Sequence, residues 1–138
     1  TSAPVSPETF DFLGFTHYWG RSRRGYWVIF RRTARGRLSR ALRAVQAWCR
    51  GHRHESLAAQ QATLSEKMRG HYAYYGLTGN YRSLAAFYEG VKRRWRQWLG
   101  RRSQRGQMSW AAFARLLGRY PLPRPHIVHG LLPDPARP

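Results

Sequence analysis

Carboxylates are scarce in this chain: Glu8, Asp11, Glu55, Glu66, Glu89 and Asp134 stand against twenty-five lysines and arginines. Two-metal chemistry on phosphates needs clustered carboxylates to hold its ions. No two of these six are adjacent or spaced to share a metal, which argues against catalysis by that route. Lysine is scarce as well, with Lys67 and Lys92 alone. Cys49 is the single cysteine, which excludes an internal disulfide and fits a reducing, cytoplasmic setting. No apolar run approaches the ~20 residues that span a bilayer. The opening TSAPVSPETF has neither the basic nor the apolar region of a signal peptide. No membrane partner is expected.

Zinc and thiol chemistry find little support. Cys49, His52 and His54 lie close in sequence, but a closed zinc site needs four ligands. No second pair stands at finger-like spacing, and nothing demands His126 or His129. Cys49 falls on an apolar stripe, as a buried cysteine does. No metal or cofactor is expected.

What the chain has instead is arginine. Its formal net charge is +19. Such a balance repels itself unless an anionic partner neutralises it. The planar guanidinium binds phosphate with two parallel hydrogen bonds and stacks on bases. Nucleic acid is therefore the expected partner. Aromatics, 14% of the chain, supply core material.

The pattern predicts a mainly α fold. Residues 1–9 read as a disordered lead or linker. FDFLGFTHYW and YWVIF, around the Gly-bounded loop GRSRRG, read as a β-hairpin over 10–32. Such a hairpin is marginal alone and wants support. Thr33 then reads as the cap of a helix with Leu38, Leu42, Val45 and Cys49 as its stripe. Ser56 caps a second helix, carrying Leu57, Leu64, Met68, Tyr72 and Tyr75, and Gly76 stops it. A third helix runs from about Asn80 to Leu99 with Leu84, Phe87, Val91, Trp95 and Trp98. RRSQRGQ reads as a basic loop. Ser109 caps a short fourth helix with Trp110, Phe113, Leu116 and Leu117. PLPRP is stiff and extended, since proline fixes φ. Residues 130–138 read as a disordered tail. At helical core spacing, Phe87, Trp95, Trp98 and Trp110 are expected inside. Tyr74 and Tyr81 are less tied to a stripe and are free to face a nucleic acid.

FDFLGFTHYWG followed by YWVIFRRT resembles the last conserved block of a group II intron reverse transcriptase. The run from RLSRALRAVQAWCRG through RGHYAYYGLTGNYRSL to VKRRWRQWLGRRSQ is similar to the maturase-specific domain of that family, its thumb and X region. MSWAAFARLLGRYPLPRPHIVH resembles the segment that closes many bacterial members. The resemblance covers about residues 10 to 129. It implies a β-hairpin from the end of the palm (10–32), a three-helix thumb-like bundle (33–105), and a short helix with a Pro-rich segment (106–129). It also implies a bacterial, cytoplasmic protein that helps intron RNA fold for splicing and serves retrohoming.

By position, Phe12, Leu13, Gly14 and Phe15 match the primer-grip strand. Arg35, Arg37, Arg40 and Arg43 match the basic face of the first thumb helix. Arg69, Gly70, Tyr72, Tyr74 and Tyr75 match the RGHYAYYG signature, continued by Asn80, Tyr81 and Arg82. From these, Arg35, Arg37, Arg40, Arg43, Arg69, Tyr74, Asn80 and Arg82 are taken as nucleic-acid contacts. Arg93, Arg94, Arg96, Arg101 and Arg102 join them from the basic side and end of the third helix. The implied partners are group II intron RNA and an RNA–DNA template–primer duplex.

The family's fingers and palm, with the aspartate pair that binds magnesium, are missing from this sequence. The resemblance thus implies the non-catalytic C-terminal part of an RNA-directed DNA polymerase, from a split or truncated gene, with a separate fingers/palm fragment as a further partner. Two other readings remain: the active half of a split polymerase, and a small general nucleic-acid-packaging protein. The last has charge in its favour but gives no account of the ordered FLGF, GHYAYYG and PLPRP blocks.

Overall fold

The computed structural model describes residues 9–102 and 106–129. The lead and tail expectations for 1–8 and 130–138, and the centre of the basic loop (103–105), lie outside the described residues. A three-stranded antiparallel sheet, in the order β1 (Phe10–Phe12), β2 (Phe15–Arg21), β3 (Trp27–Thr33), comes first. Four helices follow: α1 (Arg35–Gly51), α2 (Leu57–Tyr75), α3 (Tyr81–Gly100) and α4 (Trp110–Arg119).

The sheet corrects the two-stranded hairpin. FDFLGFTHYW folds back on itself, with Phe12 opposite Phe15 and only Leu13 and Gly14 between them. Both turn residues have positive φ, 55° and 86°. That is the handedness a two-residue hairpin loop requires, and it is costly for leucine. Surrounding contacts hold the turn: the Leu13 carbonyl accepts from the Tyr74 hydroxyl (2.6 Å), and the Gly14 carbonyl from the Ala34 N–H (2.9 Å). A Cβ at Gly14 would meet the Tyr75 hydroxyl at 3.1 Å, so glycine is required twice over.

One end of the sheet is wedged into the helices. Phe15 stacks on Tyr74 and packs on Tyr75, at 5.5 and 5.1 Å. From the other face of β2, Tyr18 stacks on Phe30 and donates to the Gly79 carbonyl. Both faces are covered there, so consecutive residues Phe15, Thr16 and His17 are buried. Alternation resumes beyond them, leaving Trp19 and its cross-strand partner Ile29 exposed.

Thr33 does not cap α1. It ends β3, and Ala34 occupies the cap position with no side-chain bond. Asn80 claims Thr33 instead. Its Oδ1 accepts from the Thr33 N–H (2.7 Å), and its Nδ2 donates to the Thr33 hydroxyl (2.9 Å) and the Tyr75 carbonyl (2.7 Å). One amide thus ties β3, the end of α2 and the start of α3. Asn80→Ala leaves the Thr33 N–H and the Tyr75 carbonyl without these partners. We expect it to destabilise the fold by roughly 2–3 kcal/mol, read as a lowered urea midpoint with unchanged slope.

Ser56 and Ser109 cap α2 and α4 as expected, accepting from the N–H groups of Ala59 and Ala112. The core lies among the helices: Val45 and Cys49 from α1, Leu64, Met68 and Tyr72 from α2, and Leu84, Phe87, Val91, Trp95 and Leu99 from α3. Phe113 of α4 and Leu122 complete it. α1 and α3 approach closely where Leu42 lies against Gly90; a Cβ there would sit 2.6 Å from a Leu42 methyl.

The PLPRP segment runs as a strap along α2. Gln61 donates to the Pro121 carbonyl, the Tyr72 hydroxyl donates to the Pro123 carbonyl, and Val128 N–H donates to the Gly76 carbonyl. Pro121, Pro123 and Pro125 favour an extended backbone there.

Candidate nucleic-acid interface

Helix geometry sorts the arginines. On α1 the buried stripe leaves an opposite arc to solvent, and Arg40, Arg43 and Arg50 lie there at spacings of three and seven. Arg35 and Arg37 are exposed in its first turn. Arg69 stands on the outer side of α2, Arg82 and Arg93 on that of α3, and Arg101 and Arg102 follow the end of α3. Carboxylates do little to offset them. Glu89 lies 3.2 Å from Lys92, and Glu55 lies 3.7 Å from the His52 imidazole.

Other proposed contacts are occupied within the chain. Arg94 is half-buried and donates to the Gly90 carbonyl (3.0 Å). Arg96 donates to the Met108 carbonyl and lies 4.1 Å from the centre of the Trp110 ring. The Arg96 contacts pin the start of α4 and the chain before it to α3. Asn80 is buried, with both ends of its amide engaged as described, so the structure removes it from the contact surface. Tyr74 is half exposed, but its hydroxyl is held by Leu13 and its ring by Phe15. Tyr81 is exposed to the same degree.

The four FLGF residues split. Phe15 is buried and Gly14 makes the turn, while Phe12 and Leu13 are 59% and 66% exposed. Trp110 also departs from expectation. It is 51% exposed with the Arg96 guanidinium over its ring, while Phe113, Leu116 and Leu117 face the core from α4.

Trp98, expected inside, is likewise only half-buried, because it lies at the edge of the α3 stripe. The sequence reading missed two features. With Arg43, Arg50 and Arg53, Trp98 borders an open hollow between α1 and α3. The spacing of Arg43, Gln46, Ala47 and Arg50 on one helical face is the signal that could have found it. The second is His71, buried and stacked flush on Phe87 at 3.7 Å, with no partner for its Nε2 among the described residues. It borders a hollow of about 270 Å³ beside Lys67.

Burial controls the titrating groups. It pushes the Cys49 thiol up to about 12, so the thiol stays protonated and is a poor nucleophile or metal ligand. It pushes the Tyr72 hydroxyl upward too. It pulls the His71 imidazole down from 6.5 to about 4. Between those values the unfolded chain binds a proton that the folded chain refuses. Stability from this group is therefore intact above pH 6.5 and falls as the pH drops toward 4. The full loss is roughly 3 kcal/mol. His71→Phe, which keeps the stack on Phe87, is expected to flatten that acid slope. Denaturant midpoints measured across the same pH range test it.

Among the described residues, no group of three or more His, Cys, Asp or Glu side chains is placed to hold a metal ion. Nor is any described helix long and apolar enough to cross a membrane. No protein family, no curated protein and no solved structure matches this chain.

Proposed function

We propose that the chain is an RNA-binding module of the kind formed by the thumb and X region of a group II intron reverse transcriptase and maturase. It grips intron RNA and the template–primer duplex and carries no chemistry of its own. One observation carries the reading: the solvent faces of α1 and α3 present Arg40, Arg43, Arg50 and Arg93 with few carboxylates to neutralise them. In water such faces repel; against a phosphate backbone each guanidinium releases a counterion and gains a charge-assisted contact. The resemblance of the FLGF, RGHYAYYG and PLPRP blocks supports the family. The test compares binding to a structured group II intron with binding to a scrambled RNA of equal length. Preference for the intron is expected; equal binding would remove the maturase part of the reading.

A second reading is half of a split RNA-directed DNA polymerase. The apolar groups left open on the sheet, Phe12, Leu13, Trp19 and Ile29, favour it, since such a surface fits a covering partner. Mixing the chain with a fingers/palm fragment, primer, template and magnesium tests it. Primer extension by the mixture is the expected result, and its absence would leave the first reading alone.

A further inference from the structure

The exposed arginines account for phosphate binding along a helix face, but not for the hollow around Trp98. This space, about 550 Å³, is bordered by Arg43, Gln46 and Arg50 of α1, by Arg53 just beyond it, and by Trp98 of α3. That volume falls within the roughly 300–1,000 Å³ of ligand pockets. Arg43 and Arg50 are two turns apart on one face of α1, a rise of about 10 Å. Arg53 is held in place by its own bond to the Arg50 carbonyl, 2.8 Å. Its guanidinium lies over the Trp98 ring, 5.9 Å from the centre, and that of Arg101 lies over it at 5.3 Å, so a base reaches the indole by displacing one of them. Among the described residues, no carboxylate borders the space. The indole N–H of Trp98 has no acceptor among the described residues.

Several guanidiniums converging on one concavity repel one another until an anion enters. An indole among them adds a flat apolar face. A phosphate ion would use the charges and leave the ring idle; an apolar ligand would use the ring and leave the charges unneutralised. A nucleotide uses both, with its phosphate on the arginines and its base against the indole or a guanidinium plane. The base must be unpaired, because a stacked duplex keeps its faces covered.

We propose that this hollow is a binding site for one unpaired nucleotide of the bound RNA, with Trp98 as the stacking surface and Arg43, Arg50 and Arg53 as the phosphate clamp. The proposal rests on the RNA-binding reading and adds a place and a strand state to it. Arg43 and Arg50 serve paired and unpaired RNA alike, whereas the Trp98 ring serves only a strand with a free base.

A short oligouridylate carrying 4-thiouridine, and a blunt RNA duplex as its control, test it on the full chain. Photo-crosslinks are expected at Trp98 or between residues 43 and 53. Trp98→Leu is expected to weaken oligouridylate binding about tenfold and leave duplex binding unchanged. If the leucine variant melts early, the crosslink map of the unaltered chain decides. Crosslinks confined elsewhere, or equal losses for both RNAs in a folded variant, overturn the site while leaving RNA binding intact. Failure to bind the oligouridylate, the duplex and the intron RNA at low salt overturns both readings together.

Discussion

Replacing Trp95 with Ala is expected to lower the stability of the chain by about 3–5 kcal/mol. Trp95 is the largest fully buried side chain, at 0% exposure, and packs edge-on against Phe113 of α4. Truncation removes that contact and leaves a void among α2, α3 and α4. It also removes a donor. The indole N–H bonds to Gln60 Oε1 at 3.0 Å, and the Gln60 amide in turn donates to the carbonyls of Glu55 (2.8 Å) and Arg53 (3.3 Å). The indole therefore orients the glutamine that fixes the turn between α1 and α2. Trp95→Phe keeps most of the volume and forfeits the bond, so it is expected to fall between wild type and alanine. Urea unfolding followed by far-UV circular dichroism measures both. An alanine variant that keeps its midpoint but loses RNA affinity would make Trp95 a stacking platform and contradict its place in the core.

Neutralising Arg40, Arg43 and Arg93 together, each to Gln, is expected to weaken RNA binding roughly tenfold or more at moderate salt. The slope of log K against log salt should drop by roughly 2–3, close to one unit for each phosphate contact removed. These three are exposed, so the fold should keep its melting temperature. Arg94→Gln with Arg96→Gln should do the reverse. Arg94 is bonded to Gly90, and Arg96 to Met108 with its guanidinium over Trp110. Losing the Arg96 contacts is expected to loosen α4 from α3, and the pair to lower the melting temperature, with a smaller change in the salt slope. If the first set left binding intact, these helix faces would not be the RNA surface.

Periodicity carried much of the fold. The stripes Val45–Cys49, Leu64–Met68–Tyr72 and Leu84–Phe87–Val91–Trp95 are buried where helical spacing puts them. The Ser56 cap was legible because serine before an apolar run has a local meaning. Thr33 has the same local look, but its partner is Asn80, forty-seven positions away. The Leu13 and Gly14 turn was hidden because leucine at positive φ is rare, and only distant Tyr74 and Ala34 make it tolerable here. Gln60, Ser65 and His71 break the apolar stripe of α2 yet are buried. Gln60 is satisfied by Trp95 and His71 is covered by Phe87, and nothing in α2 itself announces either partner. The basic surface was legible as composition, but not its division. The run Lys92, Arg93, Arg94, Arg96 looks uniform in sequence, whereas α3 turns Arg93 outward and Arg94 and Arg96 toward neighbouring backbone.

The central claim is that arginine faces grip the phosphates of RNA. The affinity of the unaltered chain for group II intron RNA, measured from low to moderate salt, tests it most directly. A linear fall of log K with log salt is predicted, with a slope of several units, since several exposed guanidiniums on α1 and α3 engage together. A flat dependence, or no binding at low salt, would contradict it.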